Sequence, residues 1–215
     1  MEQALREPPG LLAAGGDLSP ARLLAAYERG VFPWYSAQQP ILWWSPDPRM
    51  VLFPGEFRCS RSLQKTLRNH AFTTRIDHAF GATIRGCAMP RRSGPDTWLN
   101  AEMIDSYEQL HKLGYGHSIE VYRDERLVGG LYGIQLGQVF FGESMFSLER
   151  DASKVALARL VDECRARDIK VIDCQVASAH LASLGAREVS RSQFVALLRQ
   201  HAKRAPRGCW LPQSQ

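Results

Sequence analysis

The chain has 215 residues, of which 45% are hydrophobic, and a formal net charge of +5; this length suits one large domain or a small domain beside a larger one. No apolar run approaches the ~18 residues that a membrane-spanning helix needs, so we expect no membrane span. The five cysteines form no CxxC pair, and the first residues show no basic and apolar leader. We therefore expect free cysteines and a cytoplasmic protein.

The basic residues are unevenly distributed along the chain. Residues 58–92 carry eight basic side chains against Asp77 alone, and residues 191–207 carry five with no acidic residue. Such polarity indicates a polyanionic partner, most naturally a nucleic acid. The alternative is that these side chains only solvate helix faces.

Residues 1–60 predict a small, irregular N-terminal domain. Ser19 followed by Pro20 is typical of a helix start, and Gly30 of a helix end. The segment VFPWYSAQQPILWWSPDP (31–48) contains four prolines and three tryptophans, which argues against long regular elements. Its aromatic side chains either pack against the larger domain or bind a ligand.

Three helices are predicted in the first part of the larger domain, residues 61–215. A short basic helix starts near Ser60, with Leu63 and Leu67 expected to face inward. Asn100 is placed to cap a later helix, and Asp77 to cap the helix HAFGATIRGC between them.

The second half of the chain changes to strand periodicity. SIEVYR, RLVGGLYGIQL and QVFFGESMF predict an antiparallel meander. An amphipathic helix over about 152–167 follows, then the strand KVIDCQV and the short helix SAHLASLG. This order resembles the catalytic half of the GNAT (acetyltransferase-like) fold. The predicted class is α+β with a mostly antiparallel mixed sheet, although topology alone says little about chemistry.

Two apolar strands contain acidic residues. Asp173 and Gln175 share one face of KVIDCQV, about 7 Å apart. Glu143 shares a face with Phe141 and Met145, unless Gly142 introduces a bulge that resets the alternation. Each acid is either paired with an arginine or backbone amides, or belongs to a functional site.

Familiar catalytic patterns are missing from the sequence. It has no GxSxG, no HExxH and no His/Cys cluster with zinc spacing, so we expect no metal. The segment SLERDASK, where an acetyltransferase of this topology places a glycine-containing pyrophosphate loop, contains no glycine. Coenzyme A is therefore a poor fit. An aminoacyl-tRNA-dependent transferase, a coenzyme A acyltransferase and a non-catalytic RNA-binding module remain as the three alternatives.

Several long blocks make one family recognisable. GLLAAGGDLSPARLLAAYERGVFPWYS, ILWWSPDPR, HSIEVYRDERLVGGLYG, FFGESMFS, ASKVAL and IDCQV occur in this order and closely resemble bacterial leucyl/phenylalanyl-tRNA–protein transferase. The resemblance covers almost the whole chain. It implies transfer of Leu or Phe, and Met to a lesser extent, from aminoacyl-tRNA to the α-amine of proteins that begin with Arg or Lys. The modified proteins enter degradation by the N-end rule pathway.

The resemblance also implies roles for individual residues and no cofactor. Asp173 and Gln175 match the catalytic pair, with Glu143 beside them. Trp34 and Trp98 match the residues that hold the terminal adenosine. The residues that match the Leu/Phe pocket are Phe140, Met145, Leu157 and Ile172. The basic segments add candidate tRNA contacts at Arg61, Lys65, Arg68, Arg91 and Arg92.

The sequence leaves two alternatives for the group that relays the proton. Asp173 can accept or orient a proton through Gln175, and Glu143 can pair with a cationic acceptor. The 2′-hydroxyl of the tRNA is an alternative relay. With no heptad repeat or exposed apolar helix face demanding a partner, we expect a monomer.

Overall fold

The computed structural model describes residues 4–5, 7–36, 38–69, 72–90, 99–203 and 210. Ten strands and seven α-helices lie in these ranges. The strands are β1 (Leu11–Ala14), β2 (Phe32–Pro33), β3 (Leu42–Trp44), β4 (Arg49–Leu52), β5 (Thr73–Ile76), β6 (Gly116–Arg123), β7 (Arg126–Leu136), β8 (Val139–Ser147), β9 (Val171–Gln175) and β10 (Arg187–Val189). The helices are α1 (Pro20–Tyr27), α2 (Arg61–Arg68), α3 (Phe80–Cys87), α4 (Ala101–Lys112), α5 (Ala152–Ala166), α6 (Ala179–Ser183) and α7 (Arg191–His201).

The N-terminal part is a small three-stranded sheet with one helix. The strands lie in the order β1-β3-β2, and α1 begins at Pro20 after Ser19, as the sequence predicts. Trp43 is buried, and its indole N–H donates to the carbonyl of Gly15 at 2.9 Å. The proline-rich segment therefore forms short strands fixed by its aromatic side chains.

The larger sheet has seven strands in the order β10-β4-β9-β8-β7-β6-β5. Neighbours pair antiparallel except β8 and β9, the one parallel pair among the described strands of this sheet. This confirms the predicted α+β class with a mostly antiparallel mixed sheet and the meander β6-β7-β8. Strand β4 lies within the first 60 residues but pairs in this sheet, so the two sheets separate between Trp44 and Arg49.

Strand β8 carries a bulge at the position that Gly142 suggested. Gly133 pairs with Gly142 and Tyr132 with Ser144, which leaves Glu143 as the extra residue. Phe141 packs in one hydrophobic cluster and Met145 against the other, so these two side chains lie on opposite faces of the sheet. The bulge therefore resets the alternation of side chains along β8, as the sequence analysis allowed.

Helices cover both faces of the seven-stranded sheet. The first hydrophobic cluster joins it to α1, α3, α4 and α7, and the second joins it to α2 and α5. The predicted amphipathic character of α5 is confirmed, since Leu157, Leu160, Val161 and Cys164 form one buried face. The prediction for α2 is half wrong: Leu63 is 1% exposed, but Leu67, near the end of this two-turn helix, is 38% exposed.

The predicted caps of α2 and α4 are confirmed, whereas the predicted cap of α3 is wrong. The Ser60 side chain accepts from the backbone N–H of Leu63, and Asn100 accepts from that of Met103. At α3, Glu120 of β6 accepts from the backbone N–H groups of His78 and Ala79, each at 3.3 Å. A remote carboxylate thus reaches the start of α3, and Asp77 is bonded elsewhere.

Asp77 anchors the described residue nearest the C-terminus. It accepts from the backbone N–H of Trp210 at 3.0 Å and lies 2.8 Å from Nδ1 of His117. The Trp210 ring stacks on His117, and its indole N–H donates to Gln135 at 2.7 Å. These contacts fix Trp210 against the β6-β7-β8 meander, within the second hydrophobic cluster.

Candidate active site

A cavity of about 460 Å³ opens where β8 and β9 diverge. The two strands pair only from Val139 to Phe141 and from Val171 to Asp173. The residues predicted as functional that line the cavity are Trp34, Glu143, Met145, Leu157, Ile172, Asp173 and Gln175. Seven positions chosen from distant parts of the sequence therefore lie around one space.

Asp173 is paired with an arginine that the sequence analysis did not assign. Nε and Nη2 of Arg49 donate to the two carboxylate oxygens at 2.8 and 2.6 Å, and the side chains are 1% and 0% exposed. Nη1 of Arg49 donates to the carbonyl of Gly30, and the rings of Phe32 and Phe194 lie within 5 Å of the guanidinium carbon. Both Asp173 oxygens are therefore engaged by a fixed cation.

Gln175 is held in an unusual backbone conformation at the end of β9. Its φ is +56°, and its backbone N–H donates to Oδ1 of Asp173 at 3.0 Å. The buried side-chain Nε2 has no hydrogen-bond partner among the residues that the structure describes. A non-glycine residue in the left-handed region costs free energy, so the Arg49–Asp173 pair holds Gln175 with unused donors at the cavity.

Glu143 is held by a chain of buried tyrosines. Tyr107 donates to its Oε2 at 2.8 Å, and the hydroxyls of Tyr107 and Tyr27 are 2.7 Å apart. Oε1 is buried and, within the described part of the chain, makes no hydrogen bond. Burial raises the pKa of Glu143 to about 7, against the lowering effect of the hydrogen bond from Tyr107. Glu143 is thus an acid poised between two charge states.

The apolar wall of the cavity contains three of the four predicted pocket residues. Met145, Leu157 and Ile172 line it, together with residues that the sequence analysis did not assign to the pocket: Leu131, Leu160 and Leu181. Phe140 is fully buried and its ring packs 5.5 Å from that of Trp210. Phe140 is not part of the lining, because its ring packs inside the second hydrophobic cluster.

Trp34 lies at the mouth of the cavity and is 48% exposed. Its ring meets Trp44 edge to face at 5.8 Å, and its carbonyl accepts from the Trp44 indole at 2.6 Å. A large exposed aromatic ring with a fixed backbone can stack on a planar ligand. Trp98, Arg91 and Arg92 lie outside the described residues.

The remaining predicted contacts lie on α2, where Arg61, Lys65 and Arg68 are all exposed. Over the described ranges, no cluster of His, Cys, Asp and Glu is arranged to hold a metal ion. In the same ranges, no helix combines the length and apolar character needed to cross a bilayer.

A meander followed by a helix and a parallel strand, opening on a cavity at the parallel pair, is the arrangement of an acetyltransferase-like domain. The family model for leucyl/phenylalanyl-tRNA protein transferase matches residues 51–199, and that for its N-terminal domain matches residues 16–47. The chain belongs to this family.

Relatives named leucyl/phenylalanyl-tRNA–protein transferase match nearly the whole chain. One from Aromatoleum aromaticum is 56% identical over 206 residues, which are 96% of this chain and 87% of the relative. One from Stutzerimonas stutzeri is 52% identical over 210 residues, or 98% and 93%.

Solved structures resemble the chain more distantly. A ribosomal-protein-alanine N-acetyltransferase from Brucella melitensis has a TM-score of 0.34 at 15% identity, over 46% of this chain and 75% of that one. The L-PGS of Bacillus licheniformis has a TM-score of 0.44 at 8% identity, over 75% and 52%.

Proposed function

We propose that this chain transfers Leu or Phe, and Met less well, from aminoacyl-tRNA to the α-amine of proteins that begin with Arg or Lys, and so marks them for degradation by the N-end rule pathway. One observation carries the proposal: an apolar wall and two polar atoms without a partner among the described residues, Oε1 of Glu143 and Nε2 of Gln175, belong to one cavity of a family member. The enzyme would act in the cytoplasm, as a monomer with a small N-terminal domain followed by a larger catalytic domain.

The chemistry requires little beyond positioning. The aminoacyl group is already an ester, and its leaving group is a ribose hydroxyl. The attacking α-amine has an ordinary pKa near 7.7–8.0, so a useful fraction is neutral near pH 7. Catalysis needs the amine held against the carbonyl carbon and a route for one proton. The side chains at the cavity suit this reaction without a metal or a coenzyme.

Gln175 is suited to stabilise the negative charge that develops on the carbonyl oxygen of the ester during attack. Its side-chain amide has two donors, and Nε2 is buried at the cavity without a described partner. Preorganised donors at such a position typically contribute about 10²–10³-fold to the rate. We propose that Asp173 acts with Gln175 by fixing its backbone, as the hydrogen bond between them supports.

The amino-acid side chain fits the apolar wall. Met145, Leu157 and Ile172 offer a surface that accepts Leu and Phe alike, because a methionine side chain repacks around differently shaped guests. Trp34 at the mouth would stack on the terminal adenosine, a contact worth about 1–3 kcal/mol. The exposed cations of α2 would meet the tRNA backbone.

Glu143 explains why the acceptor would be cationic. Among the described residues Oε1 of Glu143 has no partner, and a cationic group nearby would stabilise the charged form of this acid, which is the form that can accept a proton. Proteins that begin with Arg or Lys bring such groups together with their α-amine. This supports the acceptor preference that the family resemblance implies.

A coenzyme A acyltransferase is the less favoured alternative. Such an enzyme would present free backbone N–H groups of α5 to the pyrophosphate. Here the N–H groups of Ala152 and Ser153, the first two residues of α5, donate to the carbonyl of Glu149 and the hydroxyl of Ser147. The Asp151 carboxylate also lies at this helix start, where it would repel a phosphate.

The proposal is tested by mixing labelled Phe-tRNA with two matched proteins that begin with Arg, one with a free and one with an acetylated N-terminus. Label should enter only the protein with the free amine, and acetyl-CoA should not replace the tRNA. No transfer to either protein would reject the function. Tight tRNA binding without turnover would instead support a non-catalytic RNA-binding module.

A further inference from the structure

Formation of the new amide bond releases one proton from the attacking nitrogen. If the proposed function holds, the cavity must offer a group that takes this proton. Two carboxylates lie at the cavity, Asp173 and Glu143. Their surroundings differ enough to separate their roles.

Asp173 is poorly placed to accept a proton. Both of its oxygens accept from Arg49, and Oδ1 also accepts from the backbone N–H of Gln175. The ion pair is buried on both sides. Protonation of Asp173 would leave the Arg49 guanidinium as an unpaired buried charge, which is strongly unfavourable. Asp173 is therefore a fixed part of the frame.

Glu143 has the opposite arrangement. Tyr107 occupies Oε2, while Oε1 lies buried with no partner in the described ranges, on a residue that lines the cavity. The bulge in β8 makes Glu143 the extra residue between two paired positions. One oxygen is thus held, and the other keeps unused acceptor capacity on a residue that lines the cavity, as a proton acceptor requires.

We propose that Glu143 is the proton acceptor of the transfer reaction, and that Tyr107 and Tyr27 are positioning residues that hold its other oxygen. The neutral α-amine attacks the ester carbonyl carbon, and the new N–C bond forms. The proton leaves the nitrogen for Oε1 of Glu143. The C–O bond to the ribose breaks, its electron pair leaves with the ribose oxygen, and Glu143 returns the proton to that oxygen.

The titratable and charged groups around Glu143 leave it free to change charge near neutral pH. Those contributing to its electrostatic environment, or lining the cavity with it, are Tyr27, Tyr107, Tyr132, Arg49, Asp173, Cys174 and His180. Burial raises the pKa of all three tyrosines and of Cys174, so these stay neutral. Burial lowers the pKa of His180 at the mouth. Burial raises the pKa of Glu143 to about 7, so this carboxyl changes charge near neutral pH.

The test is the pH dependence of kcat/KM with two acceptor peptides whose α-amine pKa values differ by about one unit. One rising limb should follow the peptide, and a second, near pH 7, should stay fixed because it belongs to the enzyme. Glu143→Gln should remove the fixed limb and lower the rate by about 10²–10⁴-fold. A fixed limb that persists in Glu143→Gln would overturn the proposal and direct attention to the ribose 2′-hydroxyl.

Tyr107→Phe gives a second, independent readout. Loss of the hydrogen bond that lowers the pKa of Glu143 should move the fixed limb to higher pH, with most activity recovered above it. A purely structural role would lower the rate equally at every pH, and that result would contradict the positioning role. If Glu143→Gln fails to fold, the shift of the fixed limb in Tyr107→Phe tests the proposal by itself. Absence of any transfer by the unmodified protein would reject the proposed function itself.

Discussion

Arg49 and Asp173 form a buried, bidentate salt bridge between the neighbouring strands β4 and β9, although they are 124 positions apart in the chain. The pair joins the first strand after the small N-terminal sheet to the strand that ends at the cavity. It also fixes the left-handed backbone of Gln175 through the shared Asp173 oxygen. Stability and site geometry therefore depend on the same contact.

Asp173→Ala should destabilise the protein by about 3–5 kcal/mol, because it leaves the Arg49 charge buried without a partner. Urea unfolding at pH 7 measures this change. The matched control is the double variant Arg49→Met/Asp173→Leu, which removes both charges and should recover most of the loss. A cost below about 1 kcal/mol in the single variant would show that the pair is not buried in solution.

Glu143 should make stability fall as the pH rises. Its folded pKa is raised from the ordinary 4.5 to about 7, so its contribution is fully present below 4.5 and is lost as the pH rises through about 7. At about 1.4 kcal/mol per unit of pKa, the loss is about 3 kcal/mol. Urea unfolding gives the free energy of unfolding at pH 4 and at pH 8. The decrease between these two values should be smaller by this amount in Glu143→Gln than in the unmodified protein.

Glu125→Gln is the control for that measurement, since the Glu125 side chain is 76% exposed. This substitution should leave the difference in the free energy of unfolding between pH 4 and pH 8 unchanged. An identical pH dependence in Glu143→Gln and the unmodified protein would mean that Glu143 is not held as an uncharged acid at low pH.

Met145→Ala should weaken selection of the amino-acid side chain. The shorter side chain enlarges the apolar pocket, and each methylene that a substrate packs in such a pocket contributes about 1–3 kcal/mol to discrimination between substrates. The ratio of kcat/KM for Phe-tRNA over Ala-tRNA should fall on the order of tenfold or more. Met103→Ala removes a fully buried methionine from the first hydrophobic cluster and should lower stability without changing the ratio. An unchanged ratio in Met145→Ala would remove Met145 from the pocket.

The exposed cations of α2 should set part of the salt dependence of tRNA binding. Replacing Arg61, Lys65 and Arg68 by Gln should lower the slope of log K against log salt by about 2, because each phosphate contact contributes about 0.7–0.9. Arg126→Gln, at the exposed start of β7, is the control and should leave the slope unchanged. The same slope in the triple variant would exclude α2 from the interface.

Local patterns in the sequence predict much of the fold. Period-two alternation identifies the β6-β7-β8 meander, and apolar spacing identifies the inner face of α5. Ser60 and Asn100 are correct caps because capping depends on residues three positions apart. Leu67 shows the limit, since a short helix near its end need not bury a second turn.

The contacts that shape the site are long-range and escape such patterns. Asp77 and Glu120 are both plausible caps for α3, and only the pairing of β5 with β6 decides that Glu120 reaches it. The tyrosines that hold Glu143 come from α1 and α4. One signal was available: Arg49 in RMVLF is as anomalous as Asp173 in VIDCQV, and two opposite charges in apolar strands predict each other.

The most direct test follows the acceptor protein itself by mass spectrometry after incubation with Phe-tRNA. The account predicts that a protein beginning with Arg gains one phenylalanyl residue, located by fragmentation on its α-amine, and that Glu143→Gln abolishes most of this product at pH 8. An acceptor of unchanged mass, or a product that forms equally well with Glu143→Gln, would contradict it.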